Sequence, residues 1–164
     1  MFLIPYRNNI LVKMKTLDEP KAIRLKIMDF LSRREHSSRE ILKKMSNRVE
    51  SKEMLLDSIK ELVDDGLLSD ERFAESYFQS RKNKGYGPLR IRNELKQRGV
   101  GDQIFSSLSN KVDWSKYALE ALKKKMNGDL PSETKDVLKL KRFLNYRGFD
   151  FQDIDRAFEL LKNE

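Results

Sequence analysis

The chain has 164 residues, of which 34 are basic and 26 acidic, so its net charge is +8, and it contains no cysteine and one histidine. The lack of cysteine excludes a disulfide framework, a thiolate zinc site and a thiol nucleophile, and one imidazole is too few for a multi-histidine metal site. No apolar run approaches the roughly 20 residues of a membrane span, and no secretory leader is recognisable. We therefore expect a cytoplasmic protein without a membrane segment.

The first predicted helices lie in residues 21–68. Apolar residues at helical spacing predict an opening helix. Ser37 and Glu40 have the form of a capping box, which predicts the start of a second helix. A third apolar stripe follows, and Gly66 is placed to end that helix. His36 lies just before a helix start, between charged residues and serines, and we interpret it as a partly exposed turn residue.

Residues 69–112 repeat this pattern. Phe73, Tyr77 and Phe78 have the spacing of a helical core stripe, so we interpret them as core residues and not as base-stacking aromatics. The segment Gly85-Tyr86-Gly87-Pro88 predicts a turn between helices, because proline at the first helical position loses no hydrogen bond. It is too short for a phosphate-binding loop, which also needs N–H donors where proline has none.

Residues 113–164 predict a third group of helices. Gly148 separates the last two of them. Phe149 is placed to pack on Ile154 across a helix cap formed by Asp150. Period-two alternation, the pattern of strands, is scarce along the whole chain.

Three stretches of the chain are alike at offsets of 50 and then 49 residues. The equivalent positions are Ile41, Ile91 and Leu140; Met45, Leu95 and Leu144; and Arg48, Arg98 and Arg147. We therefore predict an N-terminal tail (residues 1–20) and three units (residues 21–68, 69–112 and 113–164). The predicted fold is all-α, with three tandem three-helix repeats, similar to helix-turn-helix bundles, in an elongated, curved arrangement. Such short helices should give each unit a small core of its own.

The positive charge is concentrated in the second unit. From Arg81 to Arg98, seven basic residues are opposed by one acid, Glu94, so the net charge is +6 in 18 residues. A run with so few acids predicts an anionic partner, either nucleic acid or an acidic protein surface. The candidate binding residues are Arg81, Lys84, Arg90, Arg92, Lys96 and Arg98, with Tyr86 inserting beside them.

Other features favour structural roles. Arg48 and Arg147 are interpreted as basic residues that stabilise helix C-termini. The acidic pairs Asp64-Asp65 and Asp70-Glu71 flank a glycine and a helix start, so we do not interpret them as a magnesium site. No nucleotide-binding or catalytic motif accompanies them. The sequence therefore predicts a protein that is not an enzyme and needs no cofactor.

The central motif resembles the bacterial RecX family of recombinase regulators. It consists of DERFAESY at residues 70–77 and KGYGPLRI at residues 84–91. REHS at residues 34–37 is similar to the first-repeat motif of that family, and FLNYRGF at residues 143–149 to its third. The resemblance extends from about residue 21 to the C-terminus. Val49 departs from it, because the other two units have glycine at that position.

The resemblance implies a protein that acts by binding. It implies tandem three-helix repeats that bind RecA in the helical groove of the RecA–DNA filament and touch neighbouring protomers. Filament growth, strand exchange, ATP hydrolysis and the coprotease activity behind the SOS response would then be inhibited. We expect a monomer, and binding to single- and double-stranded DNA is also implied. The alternative is a sequence-tolerant DNA-binding protein that acts without contacting RecA.

Overall fold

The structure, a computed structural model, describes residues 17–126, 131 and 133–163. Within these ranges the chain forms α-helices, and its only extended pairing is an isolated bridge between Leu17 and Val49. The helices are α1 (Pro20–Leu31), α2 (Ser38–Met45), α3 (Lys52–Asp64), α4 (Asp70–Asn83), α5 (Pro88–Gln97), α6 (Asp102–Ser109), α7 (Trp114–Met126), α8 (Thr134–Arg147) and α9 (Phe151–Lys162). The all-α prediction is confirmed. Residues 1–16 of the predicted tail lie outside the described residues.

The helices begin where the sequence signals place them. The side chains of Ser37, Ser51, Ser69 and Asp150 each accept a hydrogen bond from the backbone N–H three residues further on. These bonds satisfy donors that have no partner inside the helix. Pro88 occupies the first turn of α5, as the Gly-Tyr-Gly-Pro turn predicts.

Two hydrophobic cores hold the helices together. One is confined to the first unit and is formed by α1, α2 and α3. The other runs through the second and third units without a break, because Trp114 packs between them. Its ring centroid lies 5.7 Å from that of Phe78 and 6.5 Å from that of Phe149. The expectation of a separate core in every unit is therefore wrong for the second and third units.

The aromatic stripe of α4 takes the core positions that its spacing predicts. Phe73 and Phe78 are buried, while Tyr77 is half-buried and keeps its hydroxyl at the edge of the core. Phe149 and Ile154 are both fully buried on either side of the Asp150 cap.

His36 departs from its prediction, because its side chain is buried and not partly exposed. The link between α1 and α2 turns inward, so the imidazole packs against Phe30, with 6.0 Å between the ring centroids. Nδ1 lies 3.0 Å from the carbonyl oxygen of Arg34, and Nε2 has no hydrogen-bond partner. Burial lowers the pKa of His36, so the ring is neutral near pH 7.

The units are joined by one hydrogen bond that recurs along the chain. The backbone carbonyl of the equivalent arginine, which lies at the end of α5 and α8 and three residues beyond the end of α2, accepts a hydrogen bond from the chain segment that precedes that unit. The pairs are Leu17 N to Arg48 O (2.8 Å), Ser37 Oγ to Arg98 O (2.7 Å) and Gly87 N to Arg147 O (2.9 Å). Since the three acceptors are equivalent positions of the repeat, the Arg-Gly pairs mark junctions between units as well as helix ends.

Glycine follows the arginine where another unit packs closely. Gly148 has φ +96°, and a Cβ on it would lie 2.5 Å from the Cβ of Arg90. At the other junction, a Cβ on Gly99 would lie 2.8 Å from the Cβ of Arg39. In the first unit no earlier unit approaches this position, and Val49 instead forms the bridge with Leu17.

Arg147 lies in the last turn of α8, as predicted, but it also contacts another unit, whereas Arg48 lies beyond the end of α2, so that its interpretation as a helix-end residue is wrong. Nη1 of Arg147 donates to the carbonyl oxygen of Lys84, at 2.9 Å, and so reaches into the second unit. The guanidinium of Arg48, by contrast, stays within the first unit, 5.9 Å from the ring centroid of Phe30.

Gly87→Ala tests the junction between the second and third units. Gly87 is an N-cap residue with an ordinary φ of −84°, yet a Cβ there would overlap the backbone of Gly148 and Phe149. We expect the free energy of unfolding, measured by urea titration, to fall by about 1–3 kcal/mol, the usual cost of overpacking.

Gly101→Ala is the matched control. Gly101 is also an N-cap residue, with φ −72°, but nothing lies within 4 Å of a Cβ built on it. Equal losses in the two variants would show that the close approach at Gly87 does not constrain the fold.

The carboxyl group of Asp153, in the first turn of α9, is influenced by two other aspartates. Asp150 caps α9 and accepts a hydrogen bond from the backbone N–H of Asp153, at 2.8 Å, and Asp113 lies nearby. Burial, reinforced by the negative charge of Asp150 and then of Asp113, raises the pKa of Asp153 to about 6. The folded protein therefore binds this proton more tightly than the unfolded chain, in which the pKa of an aspartate is about 3.9.

The contribution of Asp153 to stability should consequently depend on pH. Its protonation stabilises the fold fully below about pH 4, and this contribution is lost as the pH rises through 6. We expect Asp153→Asn to raise the free energy of unfolding at pH 7. The increase should be smaller at pH 5, where more of Asp153 is protonated. Urea titrations at both pH values measure the difference, and an identical pH dependence in the two proteins would contradict the prediction.

Candidate anion-binding surfaces

The predicted arginines of α4 and α5 converge on one carboxylate. Glu94 accepts hydrogen bonds from Arg81 through both oxygens, from Arg90 at 3.1 Å and from the Tyr77 hydroxyl at 2.9 Å. Burial alone would raise the pKa of Glu94, but these hydrogen bonds outweigh it and leave the pKa below the usual value. Glu94 is therefore ionised at neutral pH and neutralises part of the charge around it.

Two of the remaining predicted arginines are neutralised by acids from outside the basic segment. Arg92 forms two hydrogen bonds of 2.9 Å with the carboxylate of Asp102. Nε of Arg98 lies 3.4 Å from Oε1 of Glu40, which belongs to the first unit. The net charge of +6 for residues 81–98 counted only Glu94 as an opposing acid. It therefore overstates the positive charge that these residues can offer to a partner.

Tyr86 is enclosed by three guanidinium groups. Its ring centroid lies 4.0 Å from Cζ of Arg81, 4.6 Å from Cζ of Arg90 and 4.8 Å from Cζ of Arg147. Arg147 belongs to the third unit, so this cluster also spans the junction at Gly87. Insertion of Tyr86 into a partner would cost these cation–π contacts, each worth about 0.5–2 kcal/mol.

Lys84 and Lys96 are the predicted residues that stay exposed and form no ion pair within the described part of the chain. The structure therefore divides the predicted set into four paired arginines, an enclosed tyrosine and two free lysines. The assignment of all seven as a binding surface stays a prediction.

A second basic surface lies between the first two units. An open groove of about 700 Å³ runs between α2 and the end of α5. Its walls include Arg39, Lys43 and Lys52, which are exposed and have no ion pair among the described residues. The one acid in the lining, Glu40, already pairs with Arg34 (2.9 Å) and Arg98 (3.4 Å).

Sequence reasoning missed this groove because its cations alternate with acids along the chain. Arg39 and Lys43 are four residues apart and so share a face of α2. That spacing in the sequence could have indicated a basic face on α2. Lys52 and Gln97 join the face only after α3 and α5 pack beside it.

Two aromatic side chains of the third unit face solvent. Tyr146, at the end of α8, is 79% exposed, and Phe151, at the start of α9, is 73% exposed. The guanidinium of Arg90 lies 5.8 Å from the Tyr146 ring centroid. Neither aromatic was predicted as a site residue.

The described residues contain neither a cluster of metal ligands nor a membrane-spanning helix. No three His, Cys, Asp or Glu side chains in this part of the chain gather as metal ligands. Asp70 instead accepts a hydrogen bond from the backbone N–H of Ser38, and Asp65 pairs with Arg24. None of the helices in these ranges has the length and apolar character needed to cross a membrane.

The repeated architecture has known counterparts. Residues 69–106 match the family model of the RecX second three-helix domain, and residues 116–158 match that of the third. Regulatory protein RecX of Pseudomonas entomophila is 40% identical over 142 residues, 85% of this chain and 92% of that protein. Regulatory protein RecX of Pseudomonas syringae pv. tomato is 39% identical over the same shares of the two chains.

Solved structures show the same fold. The crystal structure of RecX from Lactobacillus salivarius superimposes with a TM-score of 0.76 at 22% identity, covering 88% of this chain and 97% of that one. A second crystal structure of regulatory protein RecX gives a TM-score of 0.69 at 24% identity, covering 88% of this chain and 73% of that one. Since the matched relatives are regulatory proteins and their similarity extends over most of the chain, this protein belongs to the RecX family.

Proposed function

We propose that this protein regulates the RecA recombinase by binding to it. The observation that carries the proposal is the 40% identity to a regulatory protein RecX over 85% of the chain. The exposed, unpaired cations of the groove between the first two units support it, because they offer a surface for an anionic partner.

In the proposed mechanism the protein acts by occupying a surface and not by catalysis. It lies as a monomer in the helical groove of the RecA–DNA filament, in the cytoplasm, and touches neighbouring protomers. Filament growth, ATP hydrolysis, strand exchange and coprotease activity fall as a result, which modulates DNA repair and the SOS response. The junction hydrogen bonds favour this mechanism, since they hold the basic surfaces of successive units at defined positions.

A charge reversal in the groove tests the proposal. Lys43→Glu with Lys52→Glu changes two exposed lysines of the lining. If the groove contacts RecA, the concentration that halves the DNA-dependent ATPase rate of RecA should rise roughly tenfold, which corresponds to about 1.4 kcal/mol.

Lys21→Glu with Lys60→Glu is the matched control, because both lysines are exposed, lie in the same unit and do not line the groove. An equal rise in the control would assign the effect to overall charge and not to the groove. Failure of the unmodified protein to inhibit RecA at equimolar concentration would refute the proposed function itself.

Reversal of the predicted arginines is a less direct test. Arg90→Glu would place a second carboxylate beside Glu94, and Arg92→Glu would remove the partner of Asp102. Both changes would alter folding as well as binding. Lys84→Glu avoids this problem, since Lys84 is exposed and forms no ion pair within the described part of the chain.

The exposed aromatics favour a second candidate function, sequence-tolerant binding of single-stranded DNA without RecA. The rings of Tyr146 and Phe151 are largely exposed, and bases stack on aromatic rings irrespective of base identity. Arg142, one turn before Tyr146 on α8, is exposed and has no ion pair among the described residues. Its guanidinium is therefore available to neutralise the phosphate of a nucleotide bound at Tyr146.

Tyr146→Ala tests this candidate in a fluorescence anisotropy titration with labelled oligo(dT). Loss of one stacked base should weaken binding roughly 5- to 150-fold, since such a contact contributes about 1–3 kcal/mol. Leu25→Ala is the control, because Leu25 is 59% exposed on α1 and offers no ring.

The salt dependence of DNA binding tests the phosphate contacts. If about five phosphates are contacted, a plot of the logarithm of the binding constant against the logarithm of the salt concentration should have a slope near −3.5. A slope near zero would exclude a phosphate contact.

A further inference from the structure

We infer that the groove between the first two units binds an acidic segment of a partner protein, with one aliphatic side chain seated in it, and not a phosphodiester backbone. This inference deepens the proposed function, because it specifies the chemistry that the partner presents. The test uses the isolated protein without RecA, so the inference can be refuted while the proposed function still holds.

The charge of the groove selects an anion. Arg39, Lys43 and Lys52 have no carboxylate partner among the described residues, and the carboxylate of Glu40 is already shared by two arginines. Cations that lie this close together repel one another, and an anionic partner relieves that repulsion. Both carboxylates and phosphates meet this first requirement.

The lining distinguishes a peptide from a nucleic acid. Half-buried Leu42 is the apolar residue of the lining, and the methylene stems of the lysines extend this carbon surface. An aliphatic side chain of a peptide can bury itself there, whereas a sugar–phosphate chain has no comparable group. Among the described residues no aromatic ring lines the groove, so bases would find no such surface on which to stack.

The end of α5 provides the second distinction. The carbonyls at a helix C-terminus carry partial negative charge and need N–H donors. The Arg98 carbonyl is satisfied by Ser37, and the carbonyl of Gln97, a residue of the groove lining, accepts no hydrogen bond from the described residues. A peptide supplies N–H donors for such a helix end together with its carboxylates, whereas a phosphodiester linkage has no donor.

The size of the groove fits a short segment. Its volume of about 700 Å³ lies within the range of roughly 300–1,000 Å³ that is usual for ligand sites. The walls come from two units, so the site exists only while the junction at Arg98 holds them together.

The test is an NMR titration of the full ¹⁵N-labelled protein with a capped peptide of five glutamates around one leucine. We expect shifts of the amide signals of Lys43, Lys52 and Gln97. Lys43→Gln with Lys52→Gln should weaken binding at least tenfold, while Lys21→Gln with Lys60→Gln should leave it unchanged. Replacing the leucine of the peptide by serine should weaken binding severalfold.

Three results would overturn the inference. The first is the absence of shifts at millimolar peptide. The second is an equal loss of affinity in the two double variants. The third is tighter binding of a hexanucleotide of dT to the same amides at the same ionic strength, which would assign the groove to nucleic acid.

Discussion

The arrangement of this protein depends on a hydrogen bond to the arginine carbonyl that ends the second helix of the second and third units, donated by the unit before it. Ser37 and Gly87 are equivalent N-cap positions, and they reach the carbonyls of Arg98 and Arg147. The glycine that follows each arginine lets the backbones approach closely. One contact therefore closes a helix end and sets the position of the next unit.

This junction also explains why the arginine-rich turn of the second unit is not a free cationic surface. Arg81, Arg90 and Arg147 surround the ring of Tyr86 and tie the second unit to the third. Half-buried Glu94 forms ion pairs with two of these arginines, Arg81 and Arg90. Such arginines hold the fold together, whereas binding to a partner favours cations that have no internal acid, such as Lys43 and Lys52.

Much of the fold was predictable because its signals are local. Helix caps at Ser37 and Asp150, proline at the start of α5 and the core stripe of α4 depend on residues a few positions apart, and the structure confirms them. The burial of His36 was not predictable, since it depends on packing against Phe30. Trp114 likewise merges two cores that the repeat pattern alone separates.

The sequence by itself determined the helices, the repeat of about fifty residues and the family, because periodicity, caps and motifs are properties of neighbouring residues. Only the tertiary structure decided where the +8 charge is available to a partner. Coulomb attraction acts between side chains that are close in space, so Asp102 and Glu40 neutralise arginines whose sequence neighbours leave them unopposed. Three of the cations left unpaired, Arg39, Lys43 and Lys52, line a groove that forms only when two units meet.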